Sequence, residues 1–417
     1  MIASTPPMGW NSWDCYGAAV NEETVRKNAE FMAKYLKSYG WQYIVVDIQW
    51  SEPTAENHEY HSFTELCMDE FSRLIPAENR FPSSAGGKGF APLAEYVHSL
   101  GLKFGIHIMR GIPRQAVHRN TPIKGVQRTA REIASTNSIC YWNTDMYGID
   151  FQKDGAAQYY NSLFELYALW GVDFVKVDDI CNHYPEGEVE LIQAAIQNSG
   201  REMVLSLSPG PAQIEKAEHL KQYANMWRIT DDFWDKWELL YDMFHRAEVW
   251  CIHAEKGHWP DADMLPIGAI RQDYNLEEWT KFTKDEQMTM LTLWCMMRSP
   301  LMIGGEMTKL DEFSMSLLTN KELIEILRYT HSAHPLFRRI VDGNEQIVWF
   351  TSHQDGRSFY IALFNAGEEG CEIAADIPVC GRFEVYDIWE SKKVGFIDGR
   401  ISAHVSAHGA KVFKLTR

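Results

Sequence analysis

Two carboxylates and the cations beside them are the residues of this chain most able to do chemistry. In DFVKVDDI, Lys176 and Asp178 stand two apart within an apolar run. Positions i and i+2 of a strand share a face, so the ammonium and the carboxylate would look into the same space. A lysine there favours the ionised acid, the form a nucleophile needs. Asp179 would point the other way, toward backbone or a helix terminus. The second acid lies in MWRITDDFWDKW, where Asp232 follows Arg228 by four residues and Asp231 and Asp235 compete with it. Spacing alone does not choose among the three. Two carboxylates across a glycosidic bond are the minimum for its hydrolysis: one attacks or activates water, the other protonates the leaving oxygen. A Lys–Asp pair that only stabilises a sheet would show the same spacing.

These groups need elements to hold them. Several helix-like stretches end in glycine (Gly40, Gly101, Gly171, Gly200), and an apolar run follows each of them. Glycine just past a helix takes the left-handed conformation that stops it, and such runs read as strands buried on both faces. The expected strands are MGWNSW (8–13), YIVVDIQW (43–50), FGIHIM (104–109), FVKVDDI (174–180), MVLSLS (203–208), MWRITD (226–231), DADML (261–265) and SPLMIGG (299–305). Eight alternating units over about 300 residues fit an α/β architecture, a (β/α)8 TIM barrel, better than an open sheet. No G-x-G-x-x-G follows the first strand. Nearly every run closes on a polar or aromatic group: Trp13, Asp47, His107, Lys176 with Asp178, Ser208, Arg228 with Asp232, and Asp263. Strand ends of a barrel share the face where catalytic groups collect. The stretches 51–89 and 112–155 are long for βα loops and would wall a pocket there.

From about Arg338 the pattern changes to hairpins. Asp342-Gly343, Asp355-Gly356 and Asp398-Gly399 are turn dipeptides, flanked by QIVWFTS, SFYIALFN and AKVFKL. A small C-terminal antiparallel β-sandwich is expected over residues 326–417, after a barrel over 1–325. A helix near 321–331 would join them.

Composition narrows the functions. A formal charge of -17 argues against nucleic acid and anionic membrane surfaces, and no apolar stretch is long enough to span a bilayer. Eight cysteines without a C-x-x-C pair predict reduced thiols rather than zinc or a disulfide framework. No H-E-x-x-H occurs among the histidines, so no metal is expected. The start, MIASTPPMGW, lacks charged and apolar leader regions, so a cytoplasmic protein is expected. Fifteen tryptophans and eighteen tyrosines suit a core, and also a sugar site, where C–H faces stack on flat rings. The cluster from Thr292 to Met297 reads as a core helix. A homo-oligomer is left open.

Taken together and in order, PPMGWNSWDCYG, VVDIQW, LKFGIH, DFVKVDD, WRITDD, DADML, SPLMIGG and AHGAKVFKL resemble glycoside hydrolase family 27. That family contains α-galactosidases, α-N-acetylgalactosaminidases and some β-L-arabinopyranosidases. The resemblance implies a barrel with a C-terminal sandwich, a carbohydrate substrate, retention of configuration and no cofactor. Carried over by motif, Asp178 is the nucleophile and Asp232 the acid/base, with Asp231 its neighbour. Trp13, Asp47, Lys176, Arg228 and Asp263 match positions lining the sugar subsite. A binding protein that kept the fold and lost the chemistry is the rival class; both acids stand in their motifs, which argues against it.

The departures from the family bear on the sugar. Galactosidases of the family usually carry D-D-C-W where this chain has Asp47-Ile48-Gln49-Trp50. Losing one carboxylate leaves a hydroxymethyl without an acceptor, at a cost of about 1–3 kcal/mol if its hydroxyl stays buried and unpaired. β-L-Arabinopyranose is the α-D-galactose ring without that group, so Ile48 resembles the family's arabinopyranosidases. Alternatively Ile48 points into the barrel wall. SLSPG (206–210), with Ser208, replaces bulkier residues near the 2-position, as in the N-acetylgalactosaminidases. His107 replaces a common tyrosine as a shorter donor.

Overall fold

The computed structural model describes residues 2–273 and 276–417. Eight parallel strands make one curled sheet: β1 (Met8–Asn11), β2 (Tyr43–Val46), β3 (Lys103–Met109), β4 (Phe174–Asp178), β5 (Val204–Leu207), β6 (Met226–Arg228), β7 (Trp259–Asp261) and β8 (Leu301–Ile303). Their order runs β7-β6-β5-β4-β3-β2-β1-β8. The circle closes just past β7, where Leu265 pairs with Ile303, donates to the Met302 carbonyl at 2.7 Å and accepts from the Gly304 amide at 2.9 Å. A barrel results.

The strands are shorter than their apolar runs because polar residues at the ends take the backbone bonds for themselves. Ser12 Oγ accepts from the Asp47 amide at 2.9 Å, Asp47 Oδ1 from the Ile48 amide at 2.8 Å, and Asn11 Oδ1 from the Trp13 amide at 2.9 Å. Trp13–Tyr16 is therefore a helical turn rather than the end of β1. The seventh strand is Trp259–Asp261, not 261–265. Asp261 Oδ1 accepts from the Asp263 amide at 3.0 Å, and Asp263 turns left-handed at φ +80°.

Alternation decides what faces the centre. Tyr43, Val45, Phe174, Val204, Met226, Trp259 and Met302 pack inside the barrel. Ile44, Val46, Val175, Val177 and Leu205 pack outward against the helices. On β4 this puts Phe174, Lys176 and Asp178 on one inward file, from apolar floor to mouth. The 112–155 loop carries its own three-stranded sheet, Ile112–Pro113, Met146–Ile149 and Ala134–Ile139.

The C-terminal strands are β9 (Thr330–Val341), β10 (Asn344–His353), β11 (Ser358–Asn365), β12 (Cys371–Asp376), β13 (Arg382–Asp387), β14 (Lys392–Asp398), β15 (Arg400–Val405) and β16 (Ala410–Thr416). Six form an antiparallel sheet, β9-β10-β11-β16-β13-β14, and β12-β15 cover one face of it. Asp342 and Gly343, at φ +49° and +86°, make the two-residue turn that matches strand twist. The sheet's other face lies on the helix Lys284–Met297, which is buried almost all round. All eight cysteines are free. Among the described residues no helix is long and apolar enough to cross a membrane.

One buried cation fastens the loops above β1 and β2. Arg80 donates to the carbonyls of Gln49 (2.7 Å), Glu52 (2.8 Å), Val20 (2.6 Å) and Ala18. Arg80→Met would strand four acceptors in a buried site. A loss of at least about 3 kcal/mol in urea unfolding is expected, since each unmet buried group costs about 1–3 kcal/mol. A change below about 1 kcal/mol would remove Arg80 from this role.

Candidate active site

A cavity of about 500 Å³ opens where the barrel strands end. Trp13, Asp47, Ile48, Lys176, Asp178, Arg228, Asp232 and Asp263 all line it. His107 and Ser208, expected against a ligand, lie behind the wall: both are buried and both bond Asp178.

Asp178, the last residue of β4, is held from several sides. Its Oδ1 accepts from Ser208 Oγ at 2.7 Å, and its Oδ2 lies 2.9 Å from His107 Nε2, a contact that needs the Nε2–H tautomer. Burial pushes the carboxyl up, but Lys176, His107 and Ser208 more than offset this and hold it well below the usual carboxylate range. The Lys176 ammonium does not bond Asp178 directly. It reaches Asp47 Oδ2 at 3.0 Å, and Asn11 Nδ2 donates to the same oxygen at 2.7 Å. Asp47 is thus held in place, and despite burial it too is lowered, chiefly by Lys176.

On the other side of the cavity Arg228 is the hub. One guanidinium nitrogen lies 2.8 Å from Asp263 Oδ1, the other 3.1 Å from Asp232 Oδ1. Asp263 also accepts from the Phe233 amide at 2.8 Å. Asp232 is open, as Asp231 beside it is, with 57% of its side chain exposed. Of its competitors, Asp235 is buried and accepts from the Lys281 amide at 2.7 Å, outside the cavity lining. Asp231 lines the cavity and accepts from the Asp232 amide at 2.9 Å. Asp179 is at φ +58° and turned away from the site, and its partner is a guanidinium rather than a helix end: Arg110 binds it at 2.9 Å.

Ile48 is 3% exposed, lines the cavity and packs with Met109, Cys140 and Met146. It makes an apolar corner beside Asp47. Loops complete the wall with rings that carry no pattern in the sequence. Trp13 stacks on Tyr60 at 5.8 Å, and Tyr60 meets Trp142 at 5.8 Å. Tyr141, Trp234 and Met264 also face the space, as does Asp14, one residue past Trp13. Among the described residues no cluster of three or more His, Cys, Asp or Glu could hold a metal ion.

Lys176→Met should destabilise by about 3–5 kcal/mol at pH 7, because it leaves buried carboxylates without their cation. Asp47 and Asp178 have lowered folded pKa values, so their stabilisation is present above the ordinary carboxylate range and is lost as pH falls. In the variant they would take up protons instead. The penalty should therefore be larger at pH 7 than at pH 4.5 in urea unfolding. An equal penalty at both would refute this charge balance.

A family model described as alpha galactosidase A matches residues 149–328, and one described as alpha galactosidase C-terminal beta sandwich domain matches residues 343–415. A GH27 β-L-arabinopyranosidase from Geobacillus stearothermophilus, solved in complex with arabinose, is 52% identical. It superposes with a TM-score of 0.96, over 100% of this chain and 98% of that one. A Bacillus halodurans structure with the provisional description α-N-acetylgalactosaminidase is 49% identical, TM-score 0.89, over 100% and 98%. Alpha-galactosidase 2 of Arabidopsis thaliana is 25% identical over 100% of this chain and 90% of its own. The likeness runs over the whole chain, barrel and sandwich alike, and the chain belongs to glycoside hydrolase family 27, as a glycosidase acting on carbohydrate.

Proposed function

We propose that this glycosidase is a retaining exo-enzyme for terminal galactose-configured sugars, and that it prefers β-L-arabinopyranosides to α-D-galactosides. The observation that carries the preference is Ile48, buried on the cavity wall next to Asp47. A ring carbon bearing only hydrogens can rest against an isoleucine; a hydroxymethyl there would bury its hydroxyl without the usual acceptor. The relative solved with arabinose is consistent with this reading.

In the first step Asp178 attacks the anomeric carbon while Asp232 protonates the leaving oxygen. In the second, Asp232 takes a proton from water, which releases the sugar from Asp178. The environments suit these roles. Asp178 is buried and kept anionic by Lys176, His107 and Ser208. Asp232 sits at the open side, where a leaving group departs and water enters. Trp13, Asp47, Lys176, Arg228 and Asp263 would hold the ring, with His107 and Ser208 acting through Asp178. Retention asks for carboxyls about 5–5.5 Å apart across the bond. A sugar carrying a 2-acetamido group is the competing substrate. Ser208 is already engaged with Asp178 and lies off the wall, which weighs against it.

Compared as nitrophenyl glycosides, the β-L-arabinopyranoside should show a kcat/KM about 10-fold or more above the α-D-galactoside, as 1–3 kcal/mol implies. Ile48→Asp should narrow or reverse that ratio. Strong preference for galactoside in the unaltered enzyme would refute the reading of Ile48 and leave the acid pair standing. Asp178→Asn should lower turnover by at least about 10⁴-fold without changing the near-ultraviolet circular dichroism. Azide should restore turnover to Asp178→Gly, and no rescue would count against a covalent role.

A further inference from the structure

Two cavity acids, Asp231 and Asp14, have no part in the mechanism above, and of the two only Asp14 is buried. It lies in the turn Trp13–Tyr16, lines the cavity, and is 3% exposed. Its Oδ2 is closed to solvent and has no hydrogen-bond donor among the described residues. That oxygen packs on Gly304, just past β8, so closely that any Cβ at 304 would overlap it. Neither cation of the site is free to serve it. Lys176 is bonded to Asp47, and both terminal nitrogens of Arg228 are taken by Asp232 and Asp263. The other neighbours include the carboxylates of Asp263, Asp232 and Asp47, and the His58 ring lies 3.3 Å from the Asp14 backbone carbonyl. An anionic oxygen sealed against a glycine Cα, with no donor and with three acids nearby, is the costliest form this side chain could take.

We propose that Asp14 is a neutral carboxylic acid in the sugar site and donates a hydrogen bond to a hydroxyl of the bound sugar. The proton sits on the oxygen toward the cavity, and the sealed Oδ2 is then a carbonyl oxygen, far cheaper to leave unpaired. Burial first, then Asp263, Asp232 and Asp47, push this carboxyl well above its ordinary value against the opposing pull of Lys176. The site has a use for such a donor. Asp47 and Asp178, held ionised, can only accept, so every hydroxyl facing them spends its proton. The lone pairs of those hydroxyls need donors, and the two cations are largely engaged. The proposal rests on a sugar occupying this cavity.

The test has one arm without substrate. A carboxyl whose folded pKa is raised loses stability as pH climbs from its unfolded value, near 4, toward its folded one. The Tm of Asp14→Asn minus that of the unaltered protein should therefore grow between pH 4.5 and pH 7.5, by about 2–4 °C, and Asp14→Ala should show the same trend. In the second arm, the nitrophenyl arabinopyranoside is used. Asp14→Ala should raise KM at least 10-fold with a smaller change in kcat, and Asp14→Asn, whose amide can donate, should recover most of that loss. A Tm difference flat with pH, or an amide variant as impaired as the alanine one, would overturn the proposal. An unaltered protein that hydrolyses neither nitrophenyl glycoside would instead overturn the functional reading beneath it.

Discussion

Positive charge is scarce at the mouth of this barrel, and the arrangement of the site follows from how it is shared. Lys176 and Arg228 face Asp47, Asp178, Asp232 and Asp263, with Asp14 close by. Each cation bonds or polarises more than one acid, so the carboxylates are sorted by what remains for them. Asp47 takes the ammonium directly and is fixed. Asp178 receives its field together with the hydrogen bonds of His107 and Ser208 and stays ionised at depth. Asp263 and Asp232 divide one guanidinium, the first buried and the second open to solvent. Coulomb attraction in a partly dry site is strong enough to make such differences chemically distinct. One residue type thereby supplies a buried anion, a group tied to a cation at depth and a group open to solvent.

The barrel makes the sharing possible because its strands are short and in register. His107 pairs with Lys176 and Met109 with Asp178 across β3 and β4, so the histidine reaches up to the next carboxylate. Ser208 follows β5 at the height where Asp178 leaves β4, and its amide donates to the Val177 carbonyl at 2.9 Å. Beneath them Phe174, Val204, Met226 and Trp259 fill the barrel and keep water from approaching from below. The polar layer therefore rests on an apolar one, and every cation–anion pair in it is screened less than at a free surface.

Much of this was legible from residue order. Glycine stops before apolar runs, acids and cations at the ends of those runs, and Asp-Gly turns beyond Arg338 all carry periodic or positional signals. The strand ends were not legible, because side-chain oxygens of Asn11, Ser12 and Asp47 compete with the sheet in a way that apolarity does not record. The seventh strand moved for the same reason, with Asp261 capping the turn at Asp263. His107 and Ser208 could be placed at strand ends but not oriented, since which partner a donor finds depends on the neighbouring strand. The aromatic wall of Tyr60, Tyr141, Trp142 and Trp234 comes from loops without period. Asp14 gave no signal beyond its place after Trp13; only the close approach of Gly304 makes its carboxyl unusual.

On the proposed reading, sugar selectivity on this frame reduces to one corner of the cavity. Asp47 is already held by Lys176, Asn11 and its own neighbour's amide, so it has little freedom to turn toward a different hydroxyl. Ile48 beside it is locked by Met109, Cys140 and Met146. A substituent on the ring at this point meets a fixed acceptor on one side and a fixed apolar surface on the other. On the proposed reading, discrimination of this kind costs the favoured sugar nothing and leaves the other with an unpaired hydroxyl, so a single side chain would shift preference while the two proposed catalytic acids stay where they are.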